Sequence, residues 1–216
     1  VYSRYCNAAE HRTTEPVSLI ARPIPVELAR EAFALYMEYP GAMSVFCDGR
    51  TYRDTVAMER FARRNARRGS TEARQPNDGR FTVVRDLTEW MSRHAHEVEK
   101  LCMFFDTAEQ AQAALPRFRA LAGAEVVQGS PDNIELTAQG VDKGTALLAL
   151  ADLLHIPREA TVAVGDSEND RAMLEKAGIA AVMANGMPHI QALADLVSTN
   201  DCDHDGVAEL FERLGL

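Results

Sequence analysis

Lys143, Asp166, Asn169 and Asp170 are the residues of this chain whose types and spacing suit chemistry on a charged oxygen compound. The run VAVGDSENDRAML, residues 162–174, ends an apolar segment in Gly-Asp, then supplies an amide and a second carboxylate within one helical turn. Parallel sheets bind ligands outside the carboxyl ends of their strands, and Gly165 and Asp166 fall at such an end. Gly165 permits a sharp turn. Asp166 then points a hard oxygen ligand into the crevice, and Asp170 can approach the same point. A small set of oxygen ligands suits Mg²⁺, which keeps several waters and shares substrate phosphates. Asp166 as a plain helix cap accounts for one aspartate and not for the set. Lys143 lies in the first turn of a second helix, GVDKGTALLAL. A cation there opposes the macrodipole at a cost of a few tenths of a kcal/mol. The same helix start plus an ammonium group is also a phosphate site.

The elements that must position these residues follow from periodicity. From about residue 138 onward, strand and helix alternate, which implies a parallel, doubly wound sheet. Asp142 can cap a helix whose core stripe is Leu147, Leu150, Ala151 and Leu154, ended by Pro157. Strands are expected at 161–164, 179–184 and 196–198. Helices are expected at 169–177, closed by Gly178 as a C′ residue, at 188–194 and at 207–214. Residues 15–137 read as a separate α+β module with a partly antiparallel sheet. Its expected strands are 18–24, 43–47, 100–105, 125–128 and 133–137. Its expected helices begin at Pro25, with Phe33 and Met37 one turn apart, and at Thr107. Residues 63–80, RRNARRGSTEARQPNDGR, carry no core pattern. Their six arginines admit anion binding, but a solvated helix end followed by a loop is the favoured reading. Trp90 and Met91 suit core filling, and His94 and His96 suit the surface.

Bulk properties narrow the function classes. The 216 residues are 46% hydrophobic and 25% charged, ordinary for a globular protein. A net charge of −9 argues against nucleic acid as a main partner. No apolar run approaches the roughly 20 residues needed to span a bilayer, and the N-terminal VYSRYCNAAEHR lacks a signal peptide's apolar region. Cys6, Cys47, Cys102 and Cys202 are scattered, as in reduced, cytoplasmic proteins. A first residue of Val rather than Met leads to the expectation of a trimmed or incomplete chain.

The Lys-Gly helix start, followed about twenty residues later by an apolar strand ending in GDSEND, closely resembles the haloacid dehalogenase superfamily of phosphatases, and its Cof-type members in particular. ARPIPVELAREA is similar to the first strand and helix of that group's large cap, IELTAQGVDKGTAL to the return from cap to core, and DLVSTNDCDHDGVAELFERL to the C-terminal stretch. The resemblance implies a partial Rossmann-like parallel core with an α+β cap of the C2 type. It would divide the chain into a residual core or linker segment (1–14), the cap (15–137) and the C-terminal part of the core (138–216). It implies a Mg²⁺-dependent phosphatase acting on a small phosphorylated metabolite, such as a sugar phosphate, through an aspartyl-phosphate. Lys143 would neutralise the phosphoryl group and the nucleophile, and Asp166 would bind Mg²⁺. Asp170 would support the metal shell. Asn169 would hydrogen-bond phosphate or order Lys143.

The chain departs from the family pattern in three places. The family's nucleophile motif, DxDGT, and its second motif do not occur before Asn7-Ala8-Ala9, where an Asn-Gly-Ala segment is usual, so the nucleophile is expected upstream of Val1. ANGMP, residues 184–188, replaces a usual Gly-Asn-Ala and leaves the role of Asn185 open. Asp203-His204-Asp205-Gly206-Val207 imitates DxDGT without a strand before it. Asp201, Asp203, Asp205, Gly206 and Glu212 imitate a Ca²⁺-binding loop without the helix that should precede it. Rival readings are a catalytically incomplete binding protein and a phosphomutase-type phosphotransferase. A monomer and a homodimer both remain open.

Overall fold

The computed structural model describes the backbone of residues 2–3, 6–7, 12–13, 17–67 and 81–216, and the side chains of 19–67 and 81–216. The chain divides into two compact units, Val1–Gln139 and Gly140–Leu216. The Cys6 side chain, Ala8, Ala9 and the second part of the arginine-rich stretch lie outside the described residues.

In the first unit, helix α1 (Val26–Met37) leads into strand β1 (Gly41–Cys47) and β2 (Arg50–Asp54). Asp48 and Gly49, at φ 47° and 67°, make the two-residue left-handed turn that suits a hairpin's twist. Helix α2 (Thr55–Arg67), strand β3 (Phe81–Val84) and helix α3 (Leu87–His94) follow. Then come β4 (Val98–Phe105), α4 (Ala108–Arg119), β5 (Ala124–Val127) and β6 (Asn133–Ala138). The sheet order is β3-β2-β1-β4-β6-β5. Its pairings are antiparallel except for parallel β2–β3.

Strand alternation sorts this sheet into two faces. Met43, Val45, Leu101, Met103, Phe105, Ile134 and Leu136 join the core under α1 and α4. Fully buried Tyr36 donates its hydroxyl to the Ile134 carbonyl at 2.9 Å, so its burial leaves no orphan donor. The intervening residues Ser44, Cys102 and Asn133 lie on the other face and are also buried. There Arg53 donates Nε to Ser44 Oγ at 2.7 Å, and its guanidinium lies 4.0 Å from the Phe61 ring and 3.8 Å from the Phe81 ring.

The second unit holds α5 (Lys143–Leu153), β7 (Val162–Gly165), α6 (Arg171–Lys176) and β8 (Ile179–Val182). It closes with α7 (Pro188–Gln191), β9 (Leu196–Val197) and α8 (Gly206–Leu214). The strands are parallel in the order β7-β8-β9. Ala163, Ala180 and Val182 pack with Leu147, Leu174 and Ile190, while Ala181 packs with Leu210 of α8. Helices therefore cover both faces, as a doubly wound sheet requires.

Several sequence expectations need correction. The strand expected over 18–24 is present only at Val17–Ser18, because Pro23 and Pro25 lack the N–H groups a ladder needs. Ile24 still donates one bond, to the Val98 carbonyl at 2.7 Å. Met37 is 52% exposed and Leu154 55% exposed, so neither belongs to the core stripe expected of it. Residues 63–67 form the end of α2, in accord with the helix-end reading of that stretch, and its remainder lies outside the described residues. The helix expected over 169–177 is a 3₁₀ turn (Glu168–Asp170) followed by short α6. Gly178 does not have the positive φ of a C′ glycine. A Cβ on it would lie 2.5 Å from the Arg158 carbonyl oxygen, so close backbone approach is what requires glycine. Met91 is buried, and Trp90 stacks on Tyr52 and His94. β2, α2, β3 and α3 were not expected from the sequence pattern.

Candidate active site

β7 ends at Gly165, and the chain then folds over itself so that Asp170 returns to the strand end. Asp170 is only 5% exposed. Its Oδ2 accepts the amides of Asp166 at 3.0 Å and Ser167 at 3.3 Å, and its Oδ1 accepts Lys143 Nζ at 2.5 Å. Gly165 makes this possible by lacking a side chain, since a Cβ there would lie 2.5 Å from Asp170 Cβ. Its φ is not in the left-handed region, so the need for glycine is close packing rather than the sharp turn expected from sequence. Burial alone would raise the Asp170 pKa, but the Lys143 ammonium and the two amides outweigh it and hold the carboxyl below its ordinary range.

Lys143 is the first residue of α5. The unfavourable cation at a helix start is compensated by Asp170, which meets it directly. Asp142 caps the same helix, accepting from the Thr145 amide at 2.6 Å while the Asp142 amide donates to Thr145 Oγ1 at 3.0 Å. Lys176 at the end of α6 donates to both Asp142 oxygens, at 3.1 and 2.9 Å. Gly144 is buried where α5 meets α6, and a Cβ on it would fall 2.1 Å from the Ala172 carbonyl oxygen. The Lys-Gly pair thus joins a cation paired with Asp170 to a helix contact that only glycine permits.

Asp166 differs from Asp170 in every respect except residue type. It is exposed, and its carboxylate has no protein partner among the described residues. Its backbone carbonyl accepts the Met187 amide at 2.9 Å, which fixes its loop. Asn169 Oδ1 accepts the Ser167 hydroxyl at 2.8 Å. Beside this loop Glu168 bridges Arg171, at 2.7 and 3.2 Å, and His189, at 2.8 Å. The sequence reading missed this frame and the Asp142–Lys176 pair. The Glu-x-x-Arg spacing at 168–171 was the available signal for the former.

The donor set fits a cation that keeps most of its waters. One outward carboxylate, Asp166, can bind it, while both Asp170 oxygens already accept protein donors. Among the described residues, no three His, Cys, Asp or Glu side chains gather into a metal site. In the 201–212 segment, Asp201 accepts the Asp203 amide at 3.0 Å and His204 Nδ1 at 2.5 Å, so its carboxylate is engaged within its own turn. The element before that turn is strand β9, not a helix. Asn185 Oδ1 accepts the Cys202 amide at 3.0 Å and ties the two loops together.

Comparison with known proteins gives the context for this arrangement. Phosphatase YwpJ of Bacillus subtilis is 39% identical over 106 residues, which cover 49% of this chain and 37% of that protein. The 5-amino-6-(5-phospho-D-ribitylamino)uracil phosphatase YcsE of B. subtilis is 32% identical over 118 residues, 55% of this chain and 47% of that protein. The chain therefore spans less than half the length of these curated relatives. The structure of a haloacid dehalogenase-like hydrolase from B. subtilis superposes with a TM-score of 0.73 at 27% identity, over 95% of this chain and 74% of that one. Among the described residues, no helix is long and apolar enough to cross a membrane. Residues 13–211 match the haloacid dehalogenase-like hydrolase family model, and the chain belongs to that family.

Proposed function

We propose that the protein is a Mg²⁺-dependent phosphomonoester hydrolase acting on a small phosphorylated metabolite, such as a sugar phosphate. The observation that carries this reading is the Lys143–Asp170 ion pair, held beside the exposed Asp166 at the carboxyl end of a parallel strand. Two curated relatives named as phosphatases support the class of reaction. Asp170 fixes the Lys143 ammonium with a charge-assisted hydrogen bond. Lys143 then offers its remaining donors to a phosphoryl oxygen and offsets negative charge as it develops. Asn169 lies in the same turn and would bind the phosphate edge. Asp166 would hold the cation, with Asp170 as its outer support. Mg²⁺, when bound, would polarise the phosphoryl group and orient it for in-line attack. In this reading the attacking aspartate that forms the aspartyl-phosphate lies outside the 216 residues.

The test is phosphate release from a panel of phosphomonoesters by the intact gene product, with and without Mg²⁺, alongside calorimetric Mg²⁺ titration. Asp166→Ala should lower kcat/KM at least a hundredfold and weaken Mg²⁺ binding, while leaving the melting temperature unchanged because its carboxylate holds no protein partner. Full activity in Asp166→Ala refutes the assignment. Saturable phosphomonoester binding without release favours a binding protein, and transfer to a second sugar favours a phosphomutase.

A further inference from the structure

Helix α2 carries Arg60, Arg63, Arg64 and Arg67 at i, i+3, i+4 and i+7, the spacing that ordinarily bears a helix's apolar stripe. These four side chains line one cleft of about 210 Å³, together with Phe104, Asp106 and Asp132. We propose that this cleft binds a small polyanion, a compound carrying phosphate or carboxylate groups, at a site of its own in the first unit. The proposal does not depend on the hydrolase reading.

The charge count favours an anion. Four arginines face two aspartates, a local excess of two positive charges in a chain of net charge −9. The aspartates orient two of the arginines. Arg64 meets Asp132 through two parallel bonds of 2.9 and 3.1 Å, and its guanidinium lies 4.0 Å from the Phe104 ring centre. Both partners are largely buried, at 17% and 13% side-chain exposure, so the fork is held in place. Arg60 meets Asp106 at 3.2 Å. The other two arginines are less committed. Among the described residues, Arg63 reaches only Glu59, at 3.7 Å between exposed side chains, and Arg67 has no carboxylate partner. Planar forks of this kind match carboxylate and phosphate oxygens in pairs. The cleft is smaller than the roughly 300 Å³ at which drug-sized sites begin. It therefore suits a pyrophosphate or a tricarboxylate rather than a larger cofactor.

Calorimetric titration of the 216-residue chain with sodium pyrophosphate, and separately with citrate, tests the site at low salt. Saturable one-to-one binding is expected. The double variant Arg63→Gln/Arg67→Gln should bind at least tenfold more weakly, with an unchanged melting temperature because both side chains are exposed. Arg30→Gln, which removes an exposed arginine outside the cleft, should leave binding within twofold of the original. A preference for one probe identifies the favoured group. Absence of saturable binding overturns the proposal. Binding lost in Lys143→Gln but kept in the double variant also overturns it, because the anion then sits in the second unit. Tighter binding of a single-stranded oligonucleotide than of either probe, lost in the double variant, replaces the small-anion site with a nucleic-acid surface.

Discussion

Replacing Asp170 by Asn keeps the side chain's shape and removes its charge. In the folded chain the two oxygens accept three donors, Lys143 Nζ and the amides of Asp166 and Ser167. An asparagine can turn its carbonyl toward the amides, but its NH₂ then confronts the ammonium group, donor against donor. The loss is one charge-assisted hydrogen bond, about 1.5–3 kcal/mol when both partners are shielded. The Lys143 side chain is 49% exposed, so water can rehydrate it and salt can screen it. The expected cost is therefore about 1–2 kcal/mol, which lowers a urea midpoint by about 0.5–1 M. Far-UV circular dichroism is the suitable probe, because the single tryptophan, Trp90, lies in the first unit. The pH dependence checks the cause. The Asp170 pKa is held below the ordinary value of 3.8, so its stabilisation is complete above that value and fades as pH falls through the folded-state value. Wild type and variant should differ by a constant amount above about pH 5 and converge in acid. Equal midpoints at pH 7, or a difference that persists unchanged in acid, would refute the role of Asp170 as a charged anchor.

Two further outcomes follow from the same unit. Gly144→Ala should destabilise by about 1–3 kcal/mol, because a Cβ set 2.1 Å from the Ala172 oxygen outweighs alanine's helix propensity advantage of about 1 kcal/mol; a gain in melting temperature would contradict the packing argument. Asp142→Ala should cost about 1 kcal/mol at pH 7 through the lost cap. Burial would raise the Asp142 pKa, but Lys176 and the Thr145 amide together lower it, so the cost should shrink as pH falls from about 3.8 through the lower folded-state value, and a cost that stays constant in acid unfolding curves would exclude that origin.

Much of the second unit was legible because buried parallel strands read as short apolar runs. Val162–Gly165 and Ile179–Val182 stand out that way, and the Asp142 cap announces α5. The first unit was harder to read. Tyr52, Arg53 and Phe81 sit in strands whose polar face is buried under α2 through a stacked guanidinium, a pattern that strict alternation of apolar and polar residues does not flag. Met37 and Leu154 show the reverse error. Periodicity places a residue on a helix face, but whether another element covers that face depends on the neighbours.

The sequence alone determined that Gly165, Asp166, Asn169 and Asp170 share one loop, because they are neighbours in the chain; that Lys143 meets Asp170 there is a contact of the fold. Residue type and spacing by themselves could not separate the two aspartates, which have the same chemistry and lie four residues apart. The tertiary structure decided that Asp170 turns inward against a glycine with no Cβ and takes three donors, while Asp166 stays outward and unpartnered among the described residues. Close approach between chain segments made that choice, and such contacts form only when the strand end, the turn and the helix have met.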